Sequence, residues 1–290
     1  MIDIHHHLIF GVDDGPPNLE AALAMARTAA AEGVTRIVCT PHASDEYPYK
    51  DQLVNERFAE LSNALADEIQ LSLGCELHLT AENIFEAREN PLRFSFDKRG
   101  YLLVEFGNQS IPSQMFNALS ALQSAGYTII IAHPERYPGV VRRPELVGMW
   151  MRGGCLMQVT AGSLYGRFGR SAEALANQML ERNWIHFIAS DAHDVKWRPP
   201  HLKKSYDYIA NRAGEETARR LCVANPLAAV CGTRLPEQPV PEGLADRIPL
   251  SPRGTDNATR DGSGMTDPRG ERPRHKRKKL FERLFHGVQY

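Results

Sequence analysis

The sequence has none of the features that place a protein in a membrane or in an oxidising compartment. Its 290 residues contain no apolar run that approaches the roughly 18–20 residues of a membrane-spanning helix. Its five cysteines form neither a Cys-x-x-Cys pair nor the framework of a small disulfide-rich domain. The first residues have the pattern of a strand rather than of a secretion signal. We therefore expect a cytoplasmic protein with reduced thiols.

Two widespread phosphate-handling motifs are also absent. The chain contains no Gly-x4-Gly-Lys-Ser/Thr loop of the kind that holds nucleotide phosphates. A cysteine-based phosphatase needs an arginine six positions after its nucleophilic cysteine, and none of the five cysteines has one. The sequence therefore excludes a cysteine-based phosphatase.

Negative charge dominates most of the chain, although the net charge is only −1. Residues 268–290 carry eight Lys and Arg against two Glu, which is +6, so residues 1–267 carry −7. An enzyme that holds a nucleic-acid backbone needs a basic surface. The acidic part of the chain therefore argues against a nuclease, and we expect no nucleic-acid partner.

Short apolar runs alternate with longer amphipathic ones along residues 1–235. This alternation predicts an α/β protein with a parallel sheet covered by helices, but it fits an open sheet and a closed barrel equally well. The predicted strands are 2–4, 35–39, 71–75, 101–105, 128–132, 155–159 and 186–189. The predicted helices are 18–32, 51–68, 113–125, 143–152, 170–183 and 199–213, with a further short helix at 80–90.

Six of the seven predicted strands end in, or run directly into, a His, Asp or Glu. Parallel strands place these ends on one edge, and a barrel gathers them around a single axis. The placement therefore favours a (β/α)7 barrel over an open sheet. The residues at these strand ends are His5, His7, Asp14, His42, Glu76, Glu105, His133, Asp191 and His193.

Imidazole and carboxylate groups together suit divalent ions such as Zn, Mn and Fe. Nine candidate ligands exceed the needs of one ion and could hold two or three. Ions about 3.5–4 Å apart stabilise the attacking and the leaving oxygen of a phosphoester displacement. The sequence therefore predicts a metal-dependent phosphoesterase that needs no nucleophilic side chain.

Two residues beside the predicted ligands are interpreted differently. In a strand, His5 and His7 point the same way and His6 points away, so we expect His6 to have a structural or supporting role. Asp13 is interpreted as a turn residue rather than as a ligand.

Two arginines follow predicted ligands on the same edge. Arg136 comes just after His133, and Arg198 comes just after His193. Arginine can bind phosphate through two parallel hydrogen bonds. We expect both arginines to bind phosphate, although each could instead pair with an acidic neighbour.

Taken together, these motifs resemble the polymerase-and-histidinol-phosphatase (PHP) superfamily, and within it the CpsB/YwqE-type tyrosine-protein phosphatases of bacterial capsule and exopolysaccharide operons. The resemblance covers about residues 1–235. His6 departs from it, since many relatives have Ser there. The segments that carry the resemblance are 1–7 (MIDIHHH), 12–16 (VDDGP), 40–42 (TPH), 74–76 (GCE), 104–106 (VEF), 132–137 (AHPERY), 190–193 (SDAH), 198–200 (RPP) and 225–226 (NP).

The resemblance implies a distorted, TIM-like (β/α)7 barrel with three divalent ions, expected to be Mn, with Fe, Co or Zn as alternatives. It matches Arg136 and Arg198 to phosphate-binding arginines, which we assign to catalysis together with His42. The implied ligands are His5, His7, Glu76 and Asp191 for the first ion, Glu76, Glu105 and His133 for the second, and Asp14, His42 and His193 for the third.

The activity implied by the resemblance is hydrolysis of phosphotyrosine in proteins by a hydroxide that bridges the ions. The implied substrate is the tyrosine-rich C-terminal tail of a bacterial tyrosine autokinase that controls capsule or exopolysaccharide synthesis. A phosphatase for a small metabolite such as histidinol phosphate is the alternative enzyme, and a non-catalytic metal-binding regulatory module is the alternative of another class. In loop 43–50, Tyr47 and Tyr49 could stack on a tyrosine ring or pack on the barrel.

The alternating pattern ends near residue 235. Residues 236–274, rich in Pro, Gly, Arg, Asp and Thr, are predicted to form a disordered linker. Residues 275–290 are predicted to form a basic amphipathic tail, which could rest on anionic lipid at the inner face of the membrane or stay solvated. An oligomer is compatible with the sequence. The apolar face of the tail consists of Leu280, Phe281, Leu284 and Phe285.

Overall fold

A computed structural model of the chain describes residues 1–107 and 115–244. In this part of the chain every strand pairing is parallel. The strands are β1 (Ile2–His6), β2 (Arg36–Cys39), β3 (His42–Ala43), β4 (Gln70–Leu73), β5 (Glu76–His78), β6 (Tyr101–Glu105), β7 (Thr128–Ala132), β8 (Leu156–Thr160) and β9 (Phe187–Ala189).

Helices follow most of the strands. The α-helices are α1 (Leu19–Ala31), α2 (Asp51–Leu65), α3 (Ala81–Glu89), α4 (Met115–Ser124), α5 (Pro138–Arg142), α6 (Glu145–Arg152), α7 (Arg170–Glu181), α8 (Lys203–Ala213), α9 (Glu215–Arg219) and α10 (Asn225–Cys231). Short 3-10 helices lie at Phe96–Lys98, Pro134–Arg136 and Ala161–Tyr165, and a π-helical turn lies at Arg220–Ala224. All predicted helices are found, whereas α5, α9, α10 and the π-helical turn were not predicted.

Helices α1 and α3 begin where the sequence supplies a capping side chain. The Asn18 side chain accepts a hydrogen bond from the backbone N–H of Ala21, and the Thr80 hydroxyl accepts one from that of Asn83. Both caps satisfy a backbone donor that the first helical turn leaves without a partner. The short helix predicted at 80–90 is thus confirmed as α3.

Two of the seven predicted strands are each followed, after an interruption, by a second short strand. The predicted strand 35–39 is found as β2 and the predicted strand 71–75 as β4, while β3 and β5 follow beyond the predicted ends. Pro41, between β2 and β3, has no N–H for a ladder. Between β4 and β5, a Cβ on Gly74 would lie 2.6 Å from the Phe96 ring, so only glycine fits there without a shift. The nine strands form two sheets, in the orders β1-β2-β4 and β3-β5-β6-β7-β8-β9.

The two sheets meet at the carboxyl ends of β1 and β9. The backbone N–H of Asp191 donates to the carbonyl of His5, and that of His7 donates to the carbonyl of Ala192, both at 2.9 Å. The chain also connects the sheets covalently, because β2 and β4 belong to the first sheet and the strands that follow them, β3 and β5, belong to the second. The α/β class and the parallel arrangement are confirmed, in two joined sheets rather than one uninterrupted ladder.

Alternate residues of the central strands enter two different apolar clusters. In β7, Ile129 and Ile131 pack in the larger cluster with the helices, whereas Ile130 and Ala132 pack in a smaller one. The smaller cluster also contains Val230 of α10. Strands buried on both faces are typical of parallel sheets. The apolar packing holds the strands rigidly. Polar residues lie at the carboxyl ends of the strands, outside this packing.

Residues 236–244, which the sequence predicted as part of a linker, pack on the rest of the molecule. The backbone N–H of Glu242 donates to the carbonyl of Arg182 at 2.9 Å, and the indole N–H of Trp184 donates to the carbonyl of Glu242 at 2.8 Å. The compact unit therefore extends over Met1–Leu244, past the predicted boundary at 235. The remainder of the predicted linker and the predicted tail 275–290 lie outside the described residues.

Deleting residues 236–290 should destabilise the protein more than deleting residues 245–290. The larger deletion removes both hydrogen bonds of Glu242 and leaves the buried indole N–H of Trp184 without its partner. At about 1 kcal/mol for each hydrogen bond, plus the desolvation of the indole, the difference should be about 2–4 kcal/mol. Urea denaturation of the two truncated proteins measures it. Equal free energies of unfolding would show that residues 236–244 add nothing to the fold.

Candidate metal centre

All nine residues predicted to bind metal lie in one cluster at the carboxyl ends of the strands. Each belongs to at least one group whose nitrogen and oxygen atoms lie within 4.8 Å of one another. That separation is about twice the roughly 2.0–2.2 Å of a metal–ligand bond, so one ion can reach every member of a group. The groups are His7, Asp14, His42 and His193; His5, His7 and Glu76; His5, His133 and Asp191; and His42, Glu76 and Glu105.

The carboxylate of Glu76 lies at the centre of this cluster. Its Oε2 atom is 3.1 Å from His5 Nε2, 3.2 Å from His7 Nε2 and 3.2 Å from His42 Nδ1. Its Oε1 atom is 3.0 Å from His133 Nε2. Burial raises the pKa of Glu76, but the imidazoles, His5 foremost, hold it well below its usual range. A carboxylate with four imidazoles around its two oxygens is placed to bridge two ions.

Asp14 lies on the solvent side of the cluster. Its Oδ1 atom is 3.2 Å from His193 Nε2 and 3.5 Å from His42 Nε2. The ring of His193 lies 3.8 Å from that of His7, which links this group to the centre. The Asp14 side chain is 41% exposed, whereas His193 is almost buried. The cluster is therefore open to solvent at Asp14.

The cluster concentrates negative charge that the described protein groups only partly balance. Burial raises the pKa of Glu105 to about 8, and the carboxylates of Glu76 and Asp191 contribute to the increase. Within the described residues, Asp191 Oδ1, His42 Nδ1 and His193 Nε2 are buried without a partner in hydrogen-bonding geometry. Divalent cations would balance the carboxylates and occupy the free lone pairs. The residues present therefore fit a cluster of metal ions.

Two residues that the sequence analysis did not identify as ligands orient His5 and His7. The amide oxygen of Gln158 accepts a hydrogen bond from Nδ1 of His5 at 2.9 Å, and Asp13 Oδ2 accepts one from Nδ1 of His7 at 2.8 Å. In both rings Nε2 then faces Glu76. Such partners fix the tautomer and direction of a metal-binding imidazole. Asp13 also closes the predicted turn, since its Oδ1 accepts from the backbone N–H of Gly15.

Arg136 and Arg198 converge on one oxygen atom. Arg198 Nη2 lies 2.6 Å from Asp191 Oδ2, and Arg136 Nη1 contacts the same atom. The pairing with an acidic neighbour, which the sequence left open, therefore occurs for both. Both arginines also line a cavity of about 330 Å³, together with six of the nine candidate ligands: Asp14, His42, Glu76, Glu105, His133 and Asp191. They stand where an anion that enters this cavity would meet them.

Two of the predicted ligands have left-handed backbone conformations. His133 has φ = 32° and Asp191 has φ = 53°, and each follows directly or closely after a strand. This conformation costs a non-glycine residue roughly 1–2 kcal/mol. Such strain is found where a site holds side chains in a required direction. Here it turns the chain sharply at the ends of β7 and β9.

His6 lies outside the ligand groups, as the strand alternation predicted. Its side chain is buried, and neither ring nitrogen has a hydrogen-bond partner among the described residues. Burial, followed by the neighbouring His7 and His193, lowers its pKa to about 3, so the ring is neutral. The location fits a packing role.

Loop 43–50 contributes one of its two tyrosines to the site. The Tyr47 ring is nearly parallel to that of His42, with centroids 5.8 Å apart. Tyr49 instead packs edge-on against Phe94, at 5.5 Å. Packing on the barrel, one of the two possibilities for this loop, therefore occurs for Tyr49. Stacking of Tyr47 on a tyrosine ring of a substrate stays a prediction.

Comparisons with known proteins agree on one group of relatives. The family model described as capsular polysaccharide synthesis, CpsB/CapC, matches residues 1–230. A putative tyrosine-protein phosphatase CapC of Staphylococcus aureus is 37% identical over 211 residues, which are 71% of this chain and 82% of the relative. The tyrosine-protein phosphatase CpsB of Streptococcus pneumoniae is 31% identical over 235 residues, 78% of this chain and 96% of the relative.

A solved structure leads to the same group. It is reported among crystal structures of YwqE from Bacillus subtilis and CpsB from Streptococcus pneumoniae, described as metal-dependent tyrosine phosphatases. It superposes with a TM-score of 0.77 at 31% identity and covers 83% of this chain and 99% of its own.

Replacing Gln158 by Leu should weaken metal binding by roughly 10–100-fold, because the His5 ring loses the acceptor that fixes it. Titration calorimetry with Mn²⁺ measures the affinity. Gln123→Leu is the matched control. The Gln123 amide donates to the carbonyl of Gly153, which precedes the amino end of β8, whereas Gln158 lies near the carboxyl end. Equal affinities of the Gln158 variant and the control would contradict an orienting role for Gln158.

Proposed function

The chain belongs to the CpsB/CapC family of capsular polysaccharide synthesis proteins, and we propose from this premise that it is a metal-dependent phosphatase acting on phosphotyrosine in proteins. The observation that carries the proposal is a cluster of nine candidate metal ligands, six of which line one open cavity together with two arginines. The named tyrosine phosphatases among its relatives support the choice of substrate.

We assign three divalent ions to the cluster, with Mn as the expected metal and Fe, Co or Zn as alternatives. When bound, such ions supply a water of lowered pKa and withdraw charge from the phosphoryl oxygens. Glu76 is assigned as the shared ligand because its two oxygens face different imidazoles. The proposed ligands are His5, His7, Glu76 and Asp191 for the first ion, Glu76, Glu105 and His133 for the second, and Asp14, His42 and His193 for the third.

Arg136 and Arg198 bind the phosphate of the substrate. Their guanidinium groups already converge on one anionic oxygen, Asp191 Oδ2, so each keeps further N–H groups for a second anion. Charge that builds on the phosphoryl oxygens during hydrolysis meets these fixed donors without reorganisation. His42 lines the same cavity and lies beside the reacting phosphate. Water attacks the phosphorus, the bond from phosphorus to the tyrosine oxygen breaks, and a proton from that water ends on the tyrosine hydroxyl, which leaves hydrogen phosphate. No covalent intermediate with the protein forms.

Tyr47 at the edge of the cavity favours phosphotyrosine over a small metabolite such as histidinol phosphate, since the cavity volume alone would admit either. The cavity volume of about 330 Å³ is at the small end of ligand pockets, and Tyr47 offers a flat aromatic wall at the mouth of the cavity. A phosphorylated tyrosine side chain fills such a space while the rest of the polypeptide stays outside. The ratio of kcat/KM for a phosphotyrosine peptide to that for histidinol phosphate discriminates the two. A ratio below one would favour the metabolite.

The capsule-synthesis family suggests the partner. We propose that the substrate is the tyrosine-rich C-terminal tail of a bacterial tyrosine autokinase that controls capsule or exopolysaccharide synthesis. No helix in residues 1–107 and 115–244 is long and apolar enough to cross a membrane. We place the protein in the cytoplasm, where the basic residues 275–290 could contact anionic lipid at the inner face of the membrane or stay solvated.

Removing the metal with a chelator should abolish the release of phosphate from a phosphotyrosine peptide, and added Mn²⁺ should restore it. The carboxylates of the cluster would otherwise repel the negatively charged substrate. Phosphate release before and after dialysis against the chelator measures the effect, with dialysis against the same buffer without chelator as the control for nonspecific loss. Full activity in metal-free protein would contradict the proposed function.

Replacing Arg198 by Ala should lower kcat/KM for a phosphotyrosine peptide by about 100-fold, the usual effect of losing one fixed donor to a developing anion. Bound metal, measured by atomic absorption, should stay constant, which separates phosphate binding from metal binding. Arg143→Ala is the control, because that exposed arginine pairs with Glu145 away from the cluster. A kcat/KM within about twofold of the unmodified protein would rule out this role for Arg198.

A further inference from the structure

A tryptophan stands exposed on the turn that leads to Arg198. Trp197 is 81% exposed, whereas Trp150 and Trp184 are buried. It lies in the sequence between His193, a predicted ligand, and Arg198, which reaches Asp191 in the cavity. The indole is therefore one residue outside the phosphate-binding machinery, and neither the metal cluster nor the proposed hydrolysis uses it.

The turn that carries Trp197 is tightly hydrogen-bonded. Asp194 Oδ1 accepts from the backbone N–H groups of Lys196 and Trp197, each at 2.5 Å, and its Oδ2 accepts from that of Arg198 at 3.2 Å. The guanidinium of Arg167 donates to the carbonyl of Trp197. The chain thus holds the backbone of this residue rigidly while its ring remains in water. A large apolar ring on a rigid support is typical of a contact that is completed by a partner.

A polypeptide substrate would have to contact the protein surface around the mouth of the cavity. A cavity of about 330 Å³ accepts the phosphorylated side chain, and the residues that flank it in a polypeptide must lie across the mouth. Arg198 lines the cavity and Trp197 is its neighbour in the chain, which would bring the residues that flank a bound phosphotyrosine within reach of the indole. Val195 on the same turn is 42% exposed and extends the apolar surface. The chemistry of an indole face favours another aromatic ring.

We propose that Trp197 is a specificity-determining residue whose indole stacks on an aromatic side chain that flanks the phosphotyrosine in a polypeptide substrate. This inference rests on the proposed phosphotyrosine phosphatase activity and deepens it. It predicts that peptides with an aromatic residue near the phosphotyrosine are preferred over peptides without one, and over free phosphotyrosine.

Kinetics of Trp197→Ala and Trp197→Phe test the inference with three substrates. These are a phosphotyrosine peptide with tyrosine neighbours, the same peptide with alanine neighbours, and free phosphotyrosine. Trp197→Ala should raise KM for the tyrosine-flanked peptide about twofold to twelvefold without a change in kcat, since an aromatic pair contributes about 0.5–1.5 kcal/mol. Trp197→Phe should largely retain the affinity, and neither variant should change KM for the other two substrates.

Val240→Ala is the control, because Val240 is 82% exposed but lies beside Asn183, before the amino end of β9. An unchanged KM for the tyrosine-flanked peptide in Trp197→Ala would overturn the inference, as would an equal rise for free phosphotyrosine. Failure of the unmodified protein to hydrolyse any of the three substrates would instead overturn the proposed function.

Fluorescence tests the same contact without catalysis. Acrylamide should quench chiefly Trp197 in the metal-loaded protein, since the other two tryptophans are buried. A tyrosine-flanked peptide with a non-hydrolysable phosphonate should reduce that quenching, and the alanine-flanked analogue should reduce it less. Equal protection by the two peptides would contradict stacking on an aromatic neighbour.

Discussion

The contact on which the rest of the site depends is the buried carboxylate of Glu76 among four imidazoles. Glu76 begins β5, while the imidazoles come from β1, β3 and the end of β7. Strand ends that are far apart in sequence must therefore be held within hydrogen-bonding distance of one carboxylate. The two-sided apolar packing of the parallel strands supplies the rigidity that this arrangement requires.

The interruptions of two strands belong to the same arrangement. After Pro41 and after Gly74 the chain leaves one sheet and joins the other, and the first residues of the new strands are His42 and Glu76. The backbone N–H of Glu76 donates to the carbonyl of Pro41 at 3.0 Å, which keeps the two displaced strands in register. The left-handed conformations of His133 and Asp191 direct two further ligands at a cost in local strain.

The sequence was sufficient to predict the nine clustered residues, because alternation located the strands and each candidate ligand lies at or shortly after the end of a predicted strand. The sequence did not predict that Gln158 and Asp13 orient His5 and His7. A hydrogen bond to the Nδ1 atom of an imidazole leaves no periodic pattern in the sequence. The strand β3 was not predicted either, because two residues are too few to show an alternating pattern. Residues 236–244 have the composition of a linker, and their attachment depends on Arg182 and Trp184 from another part of the chain.

The presence and position of the ions test the central claim most directly. Crystals grown with Mn²⁺ and phosphate, measured at the manganese absorption edge, would show each ion as an anomalous difference peak. We expect three peaks around Glu76. We expect phosphate to be bound between these peaks and the guanidinium groups of Arg136 and Arg198. Absence of any peak among these ligands, or phosphate bound elsewhere on the protein, would contradict a metal-dependent phosphatase at this site.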